Sequence, residues 1–335
     1  MKKLILADPL IIMISLVVAT MLLLMKCWAE GIVIFVFAFV LNWWSETFAL
    51  NFFRKKTENY DFRVLTYNIN RAHEISVNNG TTEELIEFIL KQNSDIVLLQ
   101  EYNAELYPMV QKQLSLEYPY SSVIDITSRF KSVYSRFPID SCEQMMVDAS
   151  KPKYELFQNA IYCKKQHNGL EVLPICKLLI RIGDQRLQLF NCHLMSNNYS
   201  VVIRNLKRKK KNLLHGIFPI LHRIDFGYQA RNAQVKVIGE NMDSMIPTLV
   251  CGDMNDIGGS SPLKILQRYG LSDAWWRNGL GFGFTFHGMG LRFRLDHILF
   301  QSKCLYLQNV KVPHSDASDH SPIICDFTFK KIKDL

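Results

Sequence analysis

The sequence predicts an α/β (α+β) fold for most of this chain: a four-layer sandwich of two packed mixed sheets flanked by helices, preceded by transmembrane helices. Three observations predict it. From residue 61 onward, short apolar strand-like runs alternate with amphipathic helical stretches. Five polar islands end such runs or lie beside them, so that the strand ends gather them into one cleft. Before residue 54, two long apolar segments stand apart from the rest, with no charge from Leu10 to Met25 or from Gly31 to Leu41.

Leu4 to Met25 is long enough to span a bilayer, which takes about 20 apolar residues, and its one acidic group, Asp8, lies near an end where it reaches headgroups. The second segment, from about Gly31 to Leu50, carries Trp43 and Trp44, which suit an interface. Two spans are favoured over one. A cleaved signal peptide fits poorly, because Met25-Lys26-Cys27-Trp28 lacks small residues. Lys2, Lys3, Arg54, Lys55 and Lys56 bracket the pair, with only Lys26 between, so the positive-inside bias puts both ends in the cytoplasm. The expected organisation is an anchor at 1–54 in the inner (cytoplasmic) membrane, a linker at 55–60 and a catalytic domain at 61–335 on the cytoplasmic side.

Within that domain, Asp61 to Tyr67 reads as a strand and Thr82 to Lys91 as a helix whose apolar side holds Leu85, Ile86, Ile89 and Leu90. Asp95 to Leu99 reads as a buried strand. Further strands are expected at Ala160–Lys164, Ile175–Ile182, Arg186–Cys192, Thr248–Cys251, Asp296–Phe300 and Ile323–Phe329. Val201 to Glu240 opens with the basic run Lys207 to Lys211 and reads as one or two helices with a turn near Pro219.

The 335 residues are 48% hydrophobic and 21% charged, which excludes a disordered chain. Eight cysteines form no CxxC pair, and several sit within apolar runs such as Leu249-Val250-Cys251, as buried thiols in a reducing compartment do. A net charge of +8 is compatible with nucleic acid, anionic lipid or any phosphorylated substrate.

The islands are Tyr67-Asn68-Ile69-Asn70, Leu99-Gln100-Glu101, Asn191-Cys192-His193, Gly252-Asp253-Met254-Asn255 and Ser318-Asp319-His320-Ser321-Pro322. They supply carboxylate, carboxamide and imidazole groups, the set that holds a hard divalent cation and moves protons at a phosphorus centre. No nucleophilic Ser or Cys motif competes with them. Glu101, at a strand end, is the best metal-ligand candidate, with Asn68 beside it. Asp253 and Asn255 are spaced two apart, so an extended segment turns both toward the cleft. A solvated Glu101, an Asx turn at Asp253 and a satisfied core His193 are the plainer alternatives.

With Ser135-Arg136-Phe137-Pro138-Ile139 and Arg294-Leu295-Asp296, these motifs run in register over residues 61 to 329 and resemble the endonuclease/exonuclease/phosphatase superfamily. Gly283-Phe284-Thr285-Phe286-His287-Gly288 and the apolar N-terminus look like its membrane-attached bacterial members. The resemblance implies a Mg²⁺ or Mn²⁺ cofactor held by Glu101, Asn68 and Asp319. It also implies that Asp253 aligns or deprotonates water, Asn255 holds phosphate, His320 contacts the scissile phosphate, Asp296 fixes His320, and His193 serves the phosphate or the leaving oxygen. Asn70, Arg204, Lys207 and Arg208 are the substrate-binding candidates, Asn70 either touching substrate or supporting residues that do. The expected activity is hydrolysis of phosphodiesters or phosphomonoesters at the membrane, with DNA or RNA ranked slightly ahead of a phospholipid, sphingomyelin-type or inositol phosphate headgroup. A membrane binding protein without turnover is the reading from another class.

Overall fold

The computed structural model describes residues 8–53, 57–70, 82–102, 107–126, 129–148, 150–151, 166–167, 170–196, 213–288 and 291–331. The chain begins with helices α1 (Asp8–Leu24) and α2 (Trp28–Ser45), then strands β1 (Ala49–Leu50) and β2 (Phe62–Asn68), helix α3 (Thr82–Lys91), strand β3 (Ile96–Tyr102) and helix α4 (Tyr107–Leu114). Strands β4 (Tyr120–Ile126), β5 (Arg129–Ser135), β6 (Ile139–Val147), β7 (Gln166–His167), β8 (Leu170–Ile182) and β9 (Gln185–His193) precede the long helix α5 (Leu213–Glu240). There follow β10 (Thr248–Asp253), α6 (Ser261–Arg268), β11 (Leu271–Asp273), α7 (Ala274–Asn278) and β12 (Leu280–Gly281). The last strands are β13 (Phe286–Gly288), β14 (Leu291–Phe293), β15 (Asp296–Gln301), β16 (Leu305–Lys311) and β17 (Ile323–Phe329).

Two mixed sheets dominate. One runs β16-β17-β2-β3-β5-β4 and the other β11-β15-β10-β9-β8-β6, with β7 added to β8. Among the described residues, only β2–β3 and β9–β10 pair in parallel. Strand alternation builds the layers. On β2, Phe62 and Val64 enter the core between the sheets, whereas Leu65 and Tyr67 pack on Leu85, Ile86 and Ile89 of α3. On the other sheet, Leu189, Leu249 and Ile298 face inward, whereas Phe190, Val250 and Leu299 pack outward with Ala230, Val235 and Leu263 of α5 and α6. The order is therefore helix, sheet, sheet, helix, the four layers expected.

The Val201–Glu240 stretch differs from expectation where it is described. Helix α5 continues through Pro219 without a turn. A proline costs a helix one backbone hydrogen bond and a steric clash, and here the later turns compensate by burying Tyr228, Ala230, Arg231, Gln234 and Ile238. The expected strand at 160–164 and the run 207–211 lie outside the described residues.

At the N-terminus, α2 is long and apolar enough to cross a membrane, whereas α1, described from Asp8 on, is 17 residues and about 25 Å long. The helices pack closely through Ala19 and Gly31, where an added Cβ would lie 2.8 Å from the Leu23 side chain. The second apolar helix ends at Ser45, earlier than the expected Leu50. Glu46 takes a left-handed φ of 50°, and the Asn42 amide closes on Phe48 twice, accepting from its N–H at 2.7 Å and donating to its carbonyl at 2.9 Å. Ala49 and Leu50 then leave as a strand paired with β12.

Candidate active site

The inward parity that makes the core also makes the site. Continuing β2 past Val64 brings Thr66 and Asn68 to the inter-sheet face; β9 brings Asn191 and His193, and β10 brings Asp253. Strand β15 runs antiparallel to β10, so its first residue, Asp296, stands opposite Asp253. His320 arrives from the loop before β17. Where apolar residues give way to these groups, the two sheets are joined by hydrogen bonds. Gln100 Nε2 donates to Thr66 Oγ1 at 2.9 Å and to Asn191 Oδ1 at 2.8 Å.

Glu101 breaks the alternation. By parity it shares the outward side of Val97 and Leu99, but a register shift against β5 and a φ of 58° turn it. Its Oε1 lies 3.1 Å from His193 Nε2, which is also 3.6 Å from Asp253 Oδ2. Gly252 has a backbone reason of its own: φ is 129°, and a Cβ there would stand 2.0 Å from the Cys192 carbonyl oxygen on β9.

His320 Nδ1 lies 2.7 Å from Asp296 Oδ2, and its Nε2 is 4.0 Å from Asp253 Oδ2. Burial by itself disfavours the imidazolium, but the Asp296 carboxylate, its hydrogen bond and the charge of Asp253 outweigh it and push the ring up to about 10. Burial is the largest cause acting on Asp253. The Asp296 charge adds to it, and the group is pushed up to about 7 against the opposing effects of His320, the Asn255 N–H and Asn68.

Asn68 donates from Nδ2 to Asp253 Oδ2 at 3.0 Å, while its Oδ1 accepts the Asn70 N–H at 3.0 Å. It thus orients Asp253. Asn255 differs from the extended geometry expected of it. Its φ is 50°, its N–H donates to Asp253 Oδ1 at 2.8 Å, and its side chain donates to the Leu194 carbonyl at 3.0 Å. The segment is an Asx turn, because leaving the strand satisfies the buried carboxylate. Asn70 follows Asn68 in a similar turn, with φ of 41°. Asp319 is half-buried beside His320, and its carbonyl accepts from the His287 N–H at 2.8 Å. Arg204, Lys207 and Arg208 lie outside the described residues.

The donor set fits a hard divalent cation. Asp253, Asp296 and His320 offer atoms within 4.8 Å of one another, and Asp296 Oδ1 is buried with no hydrogen-bond partner. As an imidazolium, however, His320 has no lone pair to give. The carboxylates of Glu101 and Asp253 are the better ligands; burial first and the Asp296 charge second push Asp253 up, and a bound cation would oppose both.

Sequence reasoning missed the frame that holds these groups. Thr285, fully buried, accepts at Oγ1 from the N–H groups of Leu295 and Asp296, both at 3.0 Å, and its carbonyl accepts from Ser321. Phe286 lies edge-on to the His320 ring at 5.1 Å. Arg294 donates to Asp273 Oδ2 at 2.7 Å, and His297 Nδ1 meets the same oxygen at 2.6 Å. Burial alone raises the Asp273 carboxyl, but Arg294 and His297 outweigh it and hold it below the usual carboxylate range. On the helix side, buried Arg231 of α5 pairs with Asp256 at 2.8 Å and donates to the Met195 carbonyl at 2.8 Å, tying the loops after β9 and β10 together. The signal for Thr285 was present in the Gly283–Gly288 motif, but its partners are ten or more residues away.

Comparison with known proteins follows the same lines. Among solved structures, an endonuclease/exonuclease/phosphatase from Bacteroides vulgatus superposes with a TM-score of 0.57 at 15% identity, over 80% of this chain and 99% of that one. The human Nocturnin catalytic domain with bound sulfate gives 0.55 at 16%, over 84% and 100%. D. rerio TDP2 complexed with single strand DNA product gives 0.54 at 14%, over 80% and 98%. At such identities these likenesses establish the fold. No curated protein sequence matches. The sequence profile described as Endonuclease/Exonuclease/phosphatase family matches residues 65–320, a stretch that runs from β2 to His320 and so takes in every strand end that carries the site. On the strength of that match the chain belongs to the endonuclease/exonuclease/phosphatase family.

Proposed function

We propose that the chain is a membrane-anchored, divalent-metal-dependent hydrolase of phosphate esters. The observation that carries this reading is the chain of contacts Glu101–His193–Asp253–His320–Asp296 at one edge of the sheets, each step 2.7 to 4.0 Å. Glu101 and Asp253 would hold Mg²⁺ or Mn²⁺, which when bound neutralises negative charge on a phosphoryl oxygen. Asp253 is suited to align the attacking water, or to take its proton, as the water oxygen bonds to phosphorus. The ester P–O bond breaks in line, and the leaving oxygen takes a proton from His193 Nε2. His320 keeps its proton at neutral pH and donates from Nε2 to the phosphoryl oxygens, with Asp296 fixing the ring. Asn68 and Asn255 hold Asp253 in position. The α1–α2 pair supplies the membrane attachment, with the catalytic domain in the cytoplasm.

Purified full-length protein with Mg²⁺ or Mn²⁺ should hydrolyse a generic phosphodiester such as bis(p-nitrophenyl) phosphate, and His320→Ala should lose at least about 10²-fold in kcat. Equal turnover in the two proteins, or none in the wild type with either metal, would sink the reading. A nucleic-acid substrate has its own support in the bound single strand DNA product of D. rerio TDP2 and in the basic run Lys207 to Lys211.

A further inference from the structure

We propose that the end of α2 is a positioning element of the active site: its terminal carbonyl seats Arg294, and through Arg294 it holds the edge that presents Asp253 and Asp296. The change in turnover that follows rests on the phosphoesterase reading; the change in backbone rigidity does not.

A helix end leaves its last carbonyls without partners inside the helix, and the aligned peptide dipoles concentrate negative charge there. The last turn of α2 has no basic residue of its own. The catalytic domain supplies the cations instead. Lys264 of α6 donates from Nζ to the Trp44 carbonyl at 2.9 Å and lies 4.2 Å from the centre of the Trp44 ring, and Arg294 donates from Nη2 to the Glu46 carbonyl at 2.8 Å. Gln267 Nε2 donates to both Glu46 carboxylate oxygens, at 2.8 and 2.9 Å. The left-handed φ at Glu46, clasped by Asn42 on Phe48, fixes the direction of the carbonyl that Arg294 meets.

The seat continues inward to the catalytic groups. Arg294 is buried, and its Nη1 lies 2.7 Å from Asp273 Oδ2 and 3.0 Å from His297 Nδ1. His297 Nε2 stands between two carbonyl acceptors, that of Asp256 at 2.9 Å and that of Arg294 at 3.2 Å, and so joins the loop after β10 to the segment before β15. Leu295 accepts the Met254 N–H at 2.9 Å. Asp296, next in the chain, pairs with Asp253 across the β10–β15 ladder and reaches His320 at 2.7 Å. Where these segments cross, a Cβ on Gly258 would stand 2.5 Å from Arg294 Nη2 and 2.6 Å from the Glu46 carbonyl oxygen. The end of α2, the loop after β10 and the segment before β15 thus meet with no room for a methyl group. A buried guanidinium gives up an acceptor only at a cost, so displacing α2 draws Arg294 with it, and the Leu295–Asp296 backbone follows. The role is alignment of Asp253 and His320 rather than capture of substrate, and misplacement by about 1 Å can cost about 10²-fold in rate.

The test uses the full-length protein in detergent micelles. Hydrolysis of bis(p-nitrophenyl) phosphate is measured with Mg²⁺ or Mn²⁺, and backbone hydrogen exchange is read by mass spectrometry on the metal-free protein. Gly258→Ala pries Arg294 from the Glu46 carbonyl without touching Asp253, Asp296 or His320. It should lower kcat about tenfold with KM and metal dependence unchanged, and should quicken exchange over residues 254–257 and 294–297 while β2 and β3 keep their protection. Asn42→Leu, which removes the clasp on Phe48 from the helix side, should produce both changes, and it carries the test alone where Gly258→Ala does not fold. Asn51→Ala cuts the bonds to the Trp276 and Gly279 carbonyls but leaves the Arg294 seat intact, so it should match wild type in both readouts. Unchanged kcat in Gly258→Ala and Asn42→Leu overturns the proposal, and so does an equal loss in Asn51→Ala, which would make the junction a support for the fold alone. A wild type that hydrolyses no phosphate ester refutes the phosphoesterase reading, and the exchange pattern then decides by itself whether α2 holds this edge.

Discussion

Replacing Asp253 by Asn should abolish turnover and at the same time stabilise the metal-free protein, increasingly so as pH rises. Asp253 is buried and its carboxyl is raised from an ordinary value near 3.8 to about 7, by burial first and by Asp296 second. A raised group favours the fold fully below its unfolded value, and that contribution is lost as pH rises through the folded value. Between pH 5 and pH 8 the folded state must give up a proton that the unfolded chain has largely lost already, at about 1.4 kcal/mol per pH unit up to about pH 7. The loss over that window is about 3 kcal/mol at most, softened by coupling to His320. His320, raised from 6.5 to about 10, loses stability in the same direction between its unfolded and folded values. The wild-type slope is therefore steeper than Asp253 alone gives, and the difference between the two proteins reports the carboxylate together with the part of the His320 shift that its charge causes. Asn keeps the size of the side chain, but its one oxygen can accept only the Asn255 N–H or the Asn68 amide, which reach different carboxylate oxygens in the wild type, so the variant gives up one hydrogen bond at every pH. The assay is thermal unfolding in detergent with EDTA at pH 5, 6.5 and 8, followed by the same series with Mg²⁺. Relative to wild type, Asp253→Asn should gain several degrees between pH 5 and pH 8, and Mg²⁺ should stabilise wild type more at pH 8 than at pH 6.5 but hardly move the variant. A variant less stable than wild type by the same amount at pH 5 and pH 8 would refute the claim that Asp253 is an under-compensated buried charge.

Three further outcomes follow from the same geometry. Glu101→Gln should raise the Mg²⁺ concentration needed for half-maximal activity, with part of the rate recovered at high metal; unchanged metal dependence with undiminished turnover would remove Glu101 from the ligand set. Thr285→Val leaves the buried N–H groups of Leu295 and Asp296 without their acceptor, so it should cost about 1–3 kcal/mol in denaturant unfolding and lower kcat, with Thr285→Ser restoring both; a silent Val variant would mean that the loop needs no such clamp. Protease added outside intact cells should leave residues 60 to 335 uncut and digest them after lysis, whereas digestion without lysis would place the catalytic domain across the membrane.

The layered fold was legible in the sequence because it rests on short apolar runs, and the polar islands at their ends marked which segments would meet at one edge. In the structure Phe62, Val64, Thr66 and Asn68 lie on one face of β2, and the same alternation orients His193 and Asp253. Helix α3 and strand β17 have the boundaries that their apolar patterns predict. What the linear pattern misses depends on backbone departures and distant partners. Glu101 reaches His193 only through a bulge and a left-handed φ, and Asn255 turns back because the Asp253 carboxylate captures its N–H. Helix α5 continues through Pro219 because packing of its later turns outweighs a local break. The Thr285 clamp, the Arg294–Asp273–His297 cluster and the seating of Glu46 on Gly258 join segments 3 to 248 residues apart. Alternation along a strand reports which way a side chain faces. Only the closed tertiary structure decides what it meets there, because burial, desolvation and the pairing of charges depend on neighbours that the chain brings from elsewhere.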